Sequence, residues 1–144
     1  MHTLVLFGTE YGPLYNWYAV ADSRNLCPSG WHVPSDNEWS VLINYLGGAD
    51  VAGGKMKEVG TSHWNTPNTG ADNSSGFTAL GGGWIADDGG GYYWYYSGNW
   101  WSSTLYDSNS PWLVNINSDL RRCIRTHGDY YRKKAGLSVR CIKD

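Results

Sequence analysis

Residues 60–107 form a long run of Gly, Asn, Ser and Trp with almost no apolar periodicity. A structureless segment of that length does not fit a compact domain unless its loops pack on aromatic side chains of their own. His63-Trp64, Trp84, Trp94 and Trp100-Trp101 can supply that packing. The rest of the composition follows the same plan. Nineteen Gly and two Met imply many tight turns and few long helices. Nine Trp and eleven Tyr against two Phe favour rings with a polar handle, suited to a small core whose rim is also a contact surface. The core is expected to take most of the Trp and to leave Tyr for the surface. A chain of 144 residues can bury that core as one domain, 1–144.

One helix is well signalled. Ser35-Asp36-Asn37-Glu38 after Pro34 is a capping box, in which the Ser hydroxyl and the Glu carboxylate each take an orphan backbone N–H. Trp39, Leu42, Ile43 and Leu46 then fall on one helical face, and Gly47-Gly48 ends the run. A second helix over residues 51–59 is weakened by Gly53-Gly54. Met1 to Gly8 is too short and lacks the basic start of a signal peptide, so it reads as a first strand, and an exported form would need its signal upstream. Order returns at Trp112, where Trp112, Val114 and Ile116 alternate with Leu113, Asn115 and Asn117 as in a half-buried strand with Trp112 inward. Leu137, Val139 and Cys141 repeat the pattern, with Ser138, Arg140 and Ile142 on the other face. Between them, residues 120–131 suit a strand edge and an exposed loop. The expected class is α+β: early helices, a loop-heavy middle and a small antiparallel sheet from the C-terminal third.

Charge is uneven. Residues 120–144 carry eight Lys or Arg against two Asp, whereas residues 1–119 carry three basic and eleven acidic residues. Such a basic face attracts an acidic glycan, an anionic partner or the domain's own acidic half. Five Arg interrupted by apolar residues form no nucleic-acid motif, and no run is long enough to insert in a membrane. Cys27, Cys123 and Cys141 match no zinc spacing. In an exported domain Cys27 and Cys141 would tie an early loop to the last strand and leave Cys123 unpaired and solvent-accessible; in a reducing compartment all three would be thiols. The four His share no ligand spacing, and His32 reads as a satisfied core residue. Asp87-Asp88 and Asp72-Asn73 are the best oxygen clusters for Ca²⁺, but neither forms an EF-hand pattern and solvated turns are expected of both. No cofactor, metal or catalytic signature is selected, so the expectation is a non-enzyme.

Several segments together carry a resemblance. They are Tyr15-Asn16-Trp17-Tyr18-Ala19-Val20, Leu26-Cys27-Pro28-Ser29-Gly30-Trp31-His32-Val33-Pro34-Ser35-Asp36, Ala52-Gly53-Gly54-Lys55-Met56-Lys57, Gly76-Phe77-Thr78-Ala79-Leu80, Trp100-Trp101-Ser102-Ser103-Thr104 and Ser138-Val139-Arg140-Cys141. In this order they resemble the Fibrobacter succinogenes major paralogous domain family over nearly the whole chain. The resemblance implies a C-type lectin-like fold and a bacterial exported or surface-attached protein, often a lipoprotein, or a phage-borne counterpart. It also implies, for some members, a C-terminal ligand-binding face rewritten by diversity-generating retroelements. Leu105 and Leu137 stand where the family usually has Glu and Phe.

Adenine randomisation of Asn codons cannot yield Lys, Glu, Gln, Met or Trp, and residues 105–131 contain none of these except Trp112. The same absence of Lys, Glu, Gln and Met extends over residues 60–131, so it discriminates little. Tyr and Arg dominate binding hot spots, which directs attention to a face of Asn115, Asn117, Asp119, Arg121, Arg122, Arg125, His127, Asp129, Tyr130 and Tyr131. The expected partner is a protein or glycan on another cell or virus, met at the cell surface, outside the cell or on a virion. Trp64, Trp84 and residues 92–96 form an alternative sugar-stacking platform. A structural or adhesive surface domain without a soluble ligand is the competing class.

Overall fold

The computed structural model describes residues 3–6, 8–128 and 130–144 of the chain, and the fold is α+β. The elements are β1 (Thr3–Leu6), α1 (Gly8–Tyr11), β2 (Pro13–Tyr15), α2 (Trp17–Val20), β3 (Trp31–His32), α3 (Asp36–Tyr45), α4 (Ala49–Met56), β4 (Trp84–Ile85), β5 (Gly91–Tyr92), β6 (Ser97–Leu105), β7 (Pro111–Asn117), β8 (Cys123–Thr126) and β9 (Ile142–Lys143). β6, β7 and β8 form a three-stranded antiparallel sheet, and β1-β2, β3-β9 and β4-β5 are two-stranded pairs. The first strand falls within the N-terminal apolar stretch, as expected.

The capping box forms as read. Ser35 Oγ accepts from the Glu38 N–H at 3.2 Å, and Glu38 Oε2 accepts from the Ser35 N–H at 2.8 Å. Trp39, Ile43 and Leu46 are buried, with Leu42 partly so, against the face of the sheet bearing Trp100, Val114, Ile116 and Cys123. The opposite face of the sheet is covered as well. There Trp101 and Leu113 pack with Trp17, Trp84, Ala135 and Leu137. The segment after Ala135 reaches this layer by backbone bridges from Leu137 to Tyr15 and from Ser138 to Trp100.

Double-sided burial explains two departures from the sequence reading. β6 lies inside the stretch read as loop. Its residues Ser97 to Ser102 are all buried, so neither face is solvated and no polar alternation marks the strand. On β7, Val114 and Ile116 do face the helices, but Leu113 is fully buried on the other side and Trp112 is only partly buried at the rim. The reading of Trp112 as a fixed core residue is therefore corrected. The expected last strand is also shorter: Leu137 is buried and Val139 partly so, but ladder pairing is confined to β9 against β3.

The second helix exists despite Gly53-Gly54, and it starts earlier and stops earlier than the sequence suggests. The two glycines are there for close approach. A Cβ at Gly53 would lie 2.2 Å from the Arg122 carbonyl oxygen, and one at Gly54 2.4 Å from the Gly70 carbonyl oxygen. With hydrogen in place of Cβ, the Gly54 N–H reaches the Arg121 carbonyl at 3.0 Å and α4 lies directly against the chain entering β8.

Cys27 and Cys141 are joined in a disulfide with Cα atoms 5.9 Å apart, closing 114 residues of chain. Cys123 is free, as expected, but it is fully buried opposite Ile116, and burial pushes its thiol up to about 12. The expectation of an accessible Cys123 is thus overturned: alternation along β8 turns it into the helix-side core. His32 is also not a core residue. It lies half-exposed between Glu38 at 2.8 Å and Asp144 at 2.7 Å, and these hydrogen bonds, Asp144's first, raise its pKa.

Four measurements test this account. Gly53→Ala gains about 1 kcal/mol of helix propensity but drives a methyl into backbone; urea unfolding should show a net loss of about 1–3 kcal/mol. Trp39→Ala should cost about 3–5 kcal/mol, whereas the rim residue Trp112, changed to Ala, should cost less than about 2 kcal/mol. Reducing the disulfide should remove about 4–5 kcal/mol, the loop-closure value for so long a ring. With the disulfide intact, Cys123 should react with a thiol reagent only at the rate of unfolding.

Candidate functional site

The register of the sheet sorts the sequence-derived site into three places. Directly paired residues share a face, so Asn115 and Asn117 of β7 lie with Asn99 and Ser97 of β6, on the side of Trp101 and Leu113. Arg125 of β8 pairs with Val114 and lies on the opposite, helix side. Arg121 and Arg122 precede β8 and lie against α4. Asp129 lies outside the described residues.

The basic residues are largely engaged within the domain. Arg125 Nε donates to Asp36 Oδ1 at 2.8 Å, its Nη2 binds Asp36 Oδ2, and its guanidinium lies 5.2 Å from the Trp112 ring centroid. The Asp36 carboxylate, at the start of α3, raises the Arg125 pKa further. His127 is sandwiched beside this pair, stacked on Tyr106 at 3.5 Å and edge-on to Trp112 at 4.6 Å. Arg122 Nε meets Asp50 at 3.1 Å, an exposed pair of small energetic weight. Two of the eight C-terminal basic residues, Arg122 and Arg125, thus answer the domain's own acidic half.

A different grouping emerges around Trp84. β4 presents this buried ring to the surface layer. Tyr93 stacks parallel to it at 6.0 Å with planes 3° apart, Tyr131 lies at 4.9 Å and Tyr130 at 6.2 Å. Tyr96 continues the array 6.5 Å from Tyr93. Its hydroxyl donates to Asp119 Oδ2 at 3.3 Å, and its carbonyl accepts from the Ser118 N–H at 2.8 Å. Asn115 Nδ2 donates to Asn99 Oδ1 at 2.8 Å, and Asn99 Nδ2 donates to the Gly83 carbonyl at 3.2 Å, which ties β7 through β6 to β4. Asp119, Tyr130 and Tyr131 thus join a tyrosine loop that the sequence offered only as an alternative platform, while Asn115 and Asn117 are paired with Asn99 and Ser97 of β6. Burial, and then the neighbouring Tyr93, raise the Tyr131 pKa; burial and then Asp119 raise that of Tyr96.

The loop itself is strained. Tyr92, Tyr93 and Tyr95 have φ of +94°, +41° and +62°, conformations that bulky side chains rarely adopt. Yet Tyr93 and Tyr130 remain 57% and 67% exposed. Trp64, by contrast, is fully interior, with Nε1 donating to the Ala79 carbonyl at 2.8 Å, and takes no part in this face.

One buried charged residue escaped sequence reading. Lys57, at the C-cap of α4, is completely buried beneath the 117–120 turn. The available signal was its spacing: Ala52, Gly53, Met56 and Lys57 share the helix's inward face, where a lysine is out of place. The oxygen clusters weighed for Ca²⁺ cap turns: Asp72 Oδ1 accepts from Ser74 N–H at 2.8 Å and Asp88 Oδ1 from Gly90 N–H at 2.9 Å. Among the described residues, no three His, Cys, Asp or Glu side chains gather as a metal site, and no helix is long and apolar enough to cross a membrane.

No curated protein and no solved structure matches the chain. A family model, that of the Fibrobacter succinogenes major domain, matches residues 7–143. That span takes in the α3 capping box, both disulfide cysteines, Lys57 and the tyrosine face, and the chain belongs to the Fibrobacter succinogenes major domain family.

Proposed function

We propose that the domain is a non-catalytic ligand-recognition module and that the tyrosine face over Trp84 is its contact surface. The observation that carries this reading is the loop of residues 91–96. Backbone strain at three aromatic residues costs free energy, and strained conformations concentrate at functional sites. Here the strain leaves large rings exposed rather than buried. Stacking on Trp84 holds Tyr93 rigid before any ligand arrives, which lowers the entropic cost of binding. Asp119, hydrogen-bonded to Tyr96, adds a carboxylate beside the rings that can fix a partner's orientation, and Asn115 and Asn117 lie on the same side of the sheet as Trp101 and Leu113.

The partner in this reading is a protein or glycan on another cell or virus. The domain would be displayed at a bacterial surface, by lipoprotein attachment or otherwise, or on a phage particle. A C-type lectin-like scaffold with a face diversified by a retroelement is consistent with the split seen here, since β7 carries Val114 and Ile116 inward and Asn115 and Asn117 on the side of Trp101 and Leu113. The engaged state of Arg122 and Arg125 favours the competing reading for that half of the surface, in which those residues serve structure alone.

Replacing Tyr93, Tyr96 and Tyr130 together with Ser tests the proposal. Each change at an exposed position should alter stability by no more than about 0.5–1 kcal/mol. Binding to the ligand found by glycan array or pull-down should fall about 30-fold or more, as for loss of hot-spot aromatics. Undiminished binding by a folded triple variant would exclude this face.

A further inference from the structure

Three of the carbonyl oxygens that border the proposed contact surface point inward at a single atom. Lys57 Nζ donates to the carbonyls of Leu120 at 2.8 Å, Thr69 at 2.9 Å, Asn117 at 3.1 Å and Ser118 at 3.4 Å. An ammonium has three N–H groups, so four acceptors share three donors. The Trp64 ring closes another side, its centroid 5.6 Å from Nζ. Burial pulls the Lys57 pKa down to about 8, with the Asp119 carboxylate drawing it back up, and a surround of four carbonyl acceptors suits an ammonium better than an amine, which has only two N–H groups.

Carbonyl dipoles converging on one point repel each other unless a cation lies among them, and rings of backbone carbonyls hold bare cations for this reason. The 117–121 segment is folded into that arrangement. Backbone bonds tie it as well: Thr69 N–H donates to the Ser118 carbonyl at 2.7 Å, Gly54 N–H to the Arg121 carbonyl at 3.0 Å, and Ser118 N–H to the Tyr96 carbonyl at 2.8 Å. The segment carries Asn117 and Asp119 and hands Asp119 to the Tyr96 hydroxyl. We propose that Lys57 is the positioning residue of the recognition face, its ammonium being the internal cation around which the 117–121 segment is held against the tyrosine loop. This inference rests on the reading of that face as the contact surface. It also makes the carbonyl cage a cation site in its own right once the lysine is removed.

The test uses Lys57→Met and Lys57→Ala, with amide hydrogen exchange as the readout and no ligand present. In Lys57→Met, which keeps the apolar stem, exchange at Gly54, Thr69 and Ser118 should accelerate at least ten-fold more than at Leu46, the C-cap of α3. In Lys57→Ala, n-propylammonium should restore protection at those three amides, whereas propanol and tetramethylammonium at equal concentration should not. Unchanged protection in Lys57→Met, or rescue by propanol as good as by propylammonium, would overturn the proposal by showing that Lys57 only fills space. If neither variant folds, the wild-type protein decides: nitrogen-15 NMR at neutral pH should show slowly exchanging Lys57 ammonium protons, and their absence would overturn it. Ligand binding separates the two readings. If the tyrosine variant loses binding and folded Lys57→Met keeps it, the positioning role falls while the contact surface stands; if both keep it, the contact surface itself is wrong.

Discussion

A three-stranded sheet that must be covered on both faces governs this structure. β6 is buried from Ser97 to Ser102, and β7 buries Val114 and Ile116 on one side and Leu113 on the other. Strands so short cannot supply a core alone, so each face needs its own lid. α3 and α4 cover one face with Trp39, Ile43, Leu46 and Met56. The other is covered by pieces with little regular structure, Trp17, Trp84, Ala135 and Leu137, drawn from distant parts of the chain. Indole donors join these pieces to the strands: Trp17 Nε1 donates to the Ser102 carbonyl of β6 at 2.8 Å, and Trp101 Nε1 of β6 to the Tyr15 carbonyl of β2 at 2.7 Å. The preference for Trp over Phe has this physical basis, because Phe fills the same space without a donor.

The same arrangement separates two surfaces that lie close together in sequence. Residues on successive positions of β7 and β8 point to opposite sides of the sheet, so Asn115 and Arg125 cannot belong to one face. The helix side carries opposite charge and neutralises it at Asp36 and Asp50. The other side carries tyrosines anchored on Trp84, with one carboxylate beside them. The 117–121 segment connects the two, gripped from the helix side by Lys57 and presenting Asp119 on the tyrosine side. With the Lys57 ammonium below and the tyrosine face above, the segment is the joint between the two.

Local signals in the chain were strong where the physics is local. The capping box at Ser35 and the apolar spacing of Trp39, Ile43 and Leu46 specify α3 through contacts within a few residues. The pairing option of Cys27 with Cys141, the α+β class and the family motifs were also legible, as was the preference for buried Trp and exposed Tyr, met by Trp64 and Trp101 against Tyr93 and Tyr130. The departures at β6 and Trp112 share one cause: alternation reports burial only when one face of a strand meets water.

The sequence alone thus determined one helix, the disulfide option, the abundance of turns and the supply of Trp and Tyr, because propensity, capping and composition act over short spans. Tertiary structure decided which residues share a face, and it put Tyr93 and Tyr96 beside Asp119 while sending Arg125 to Asp36. It alone explains Gly53 and Gly54, whose value lies in the carbonyls of residues 70, 121 and 122 that approach them. It alone gives Lys57 its four acceptors, from residues 12 to 63 positions away. Such contacts are set by how sheet, helix and loops close on one another, and no local pattern records that closure.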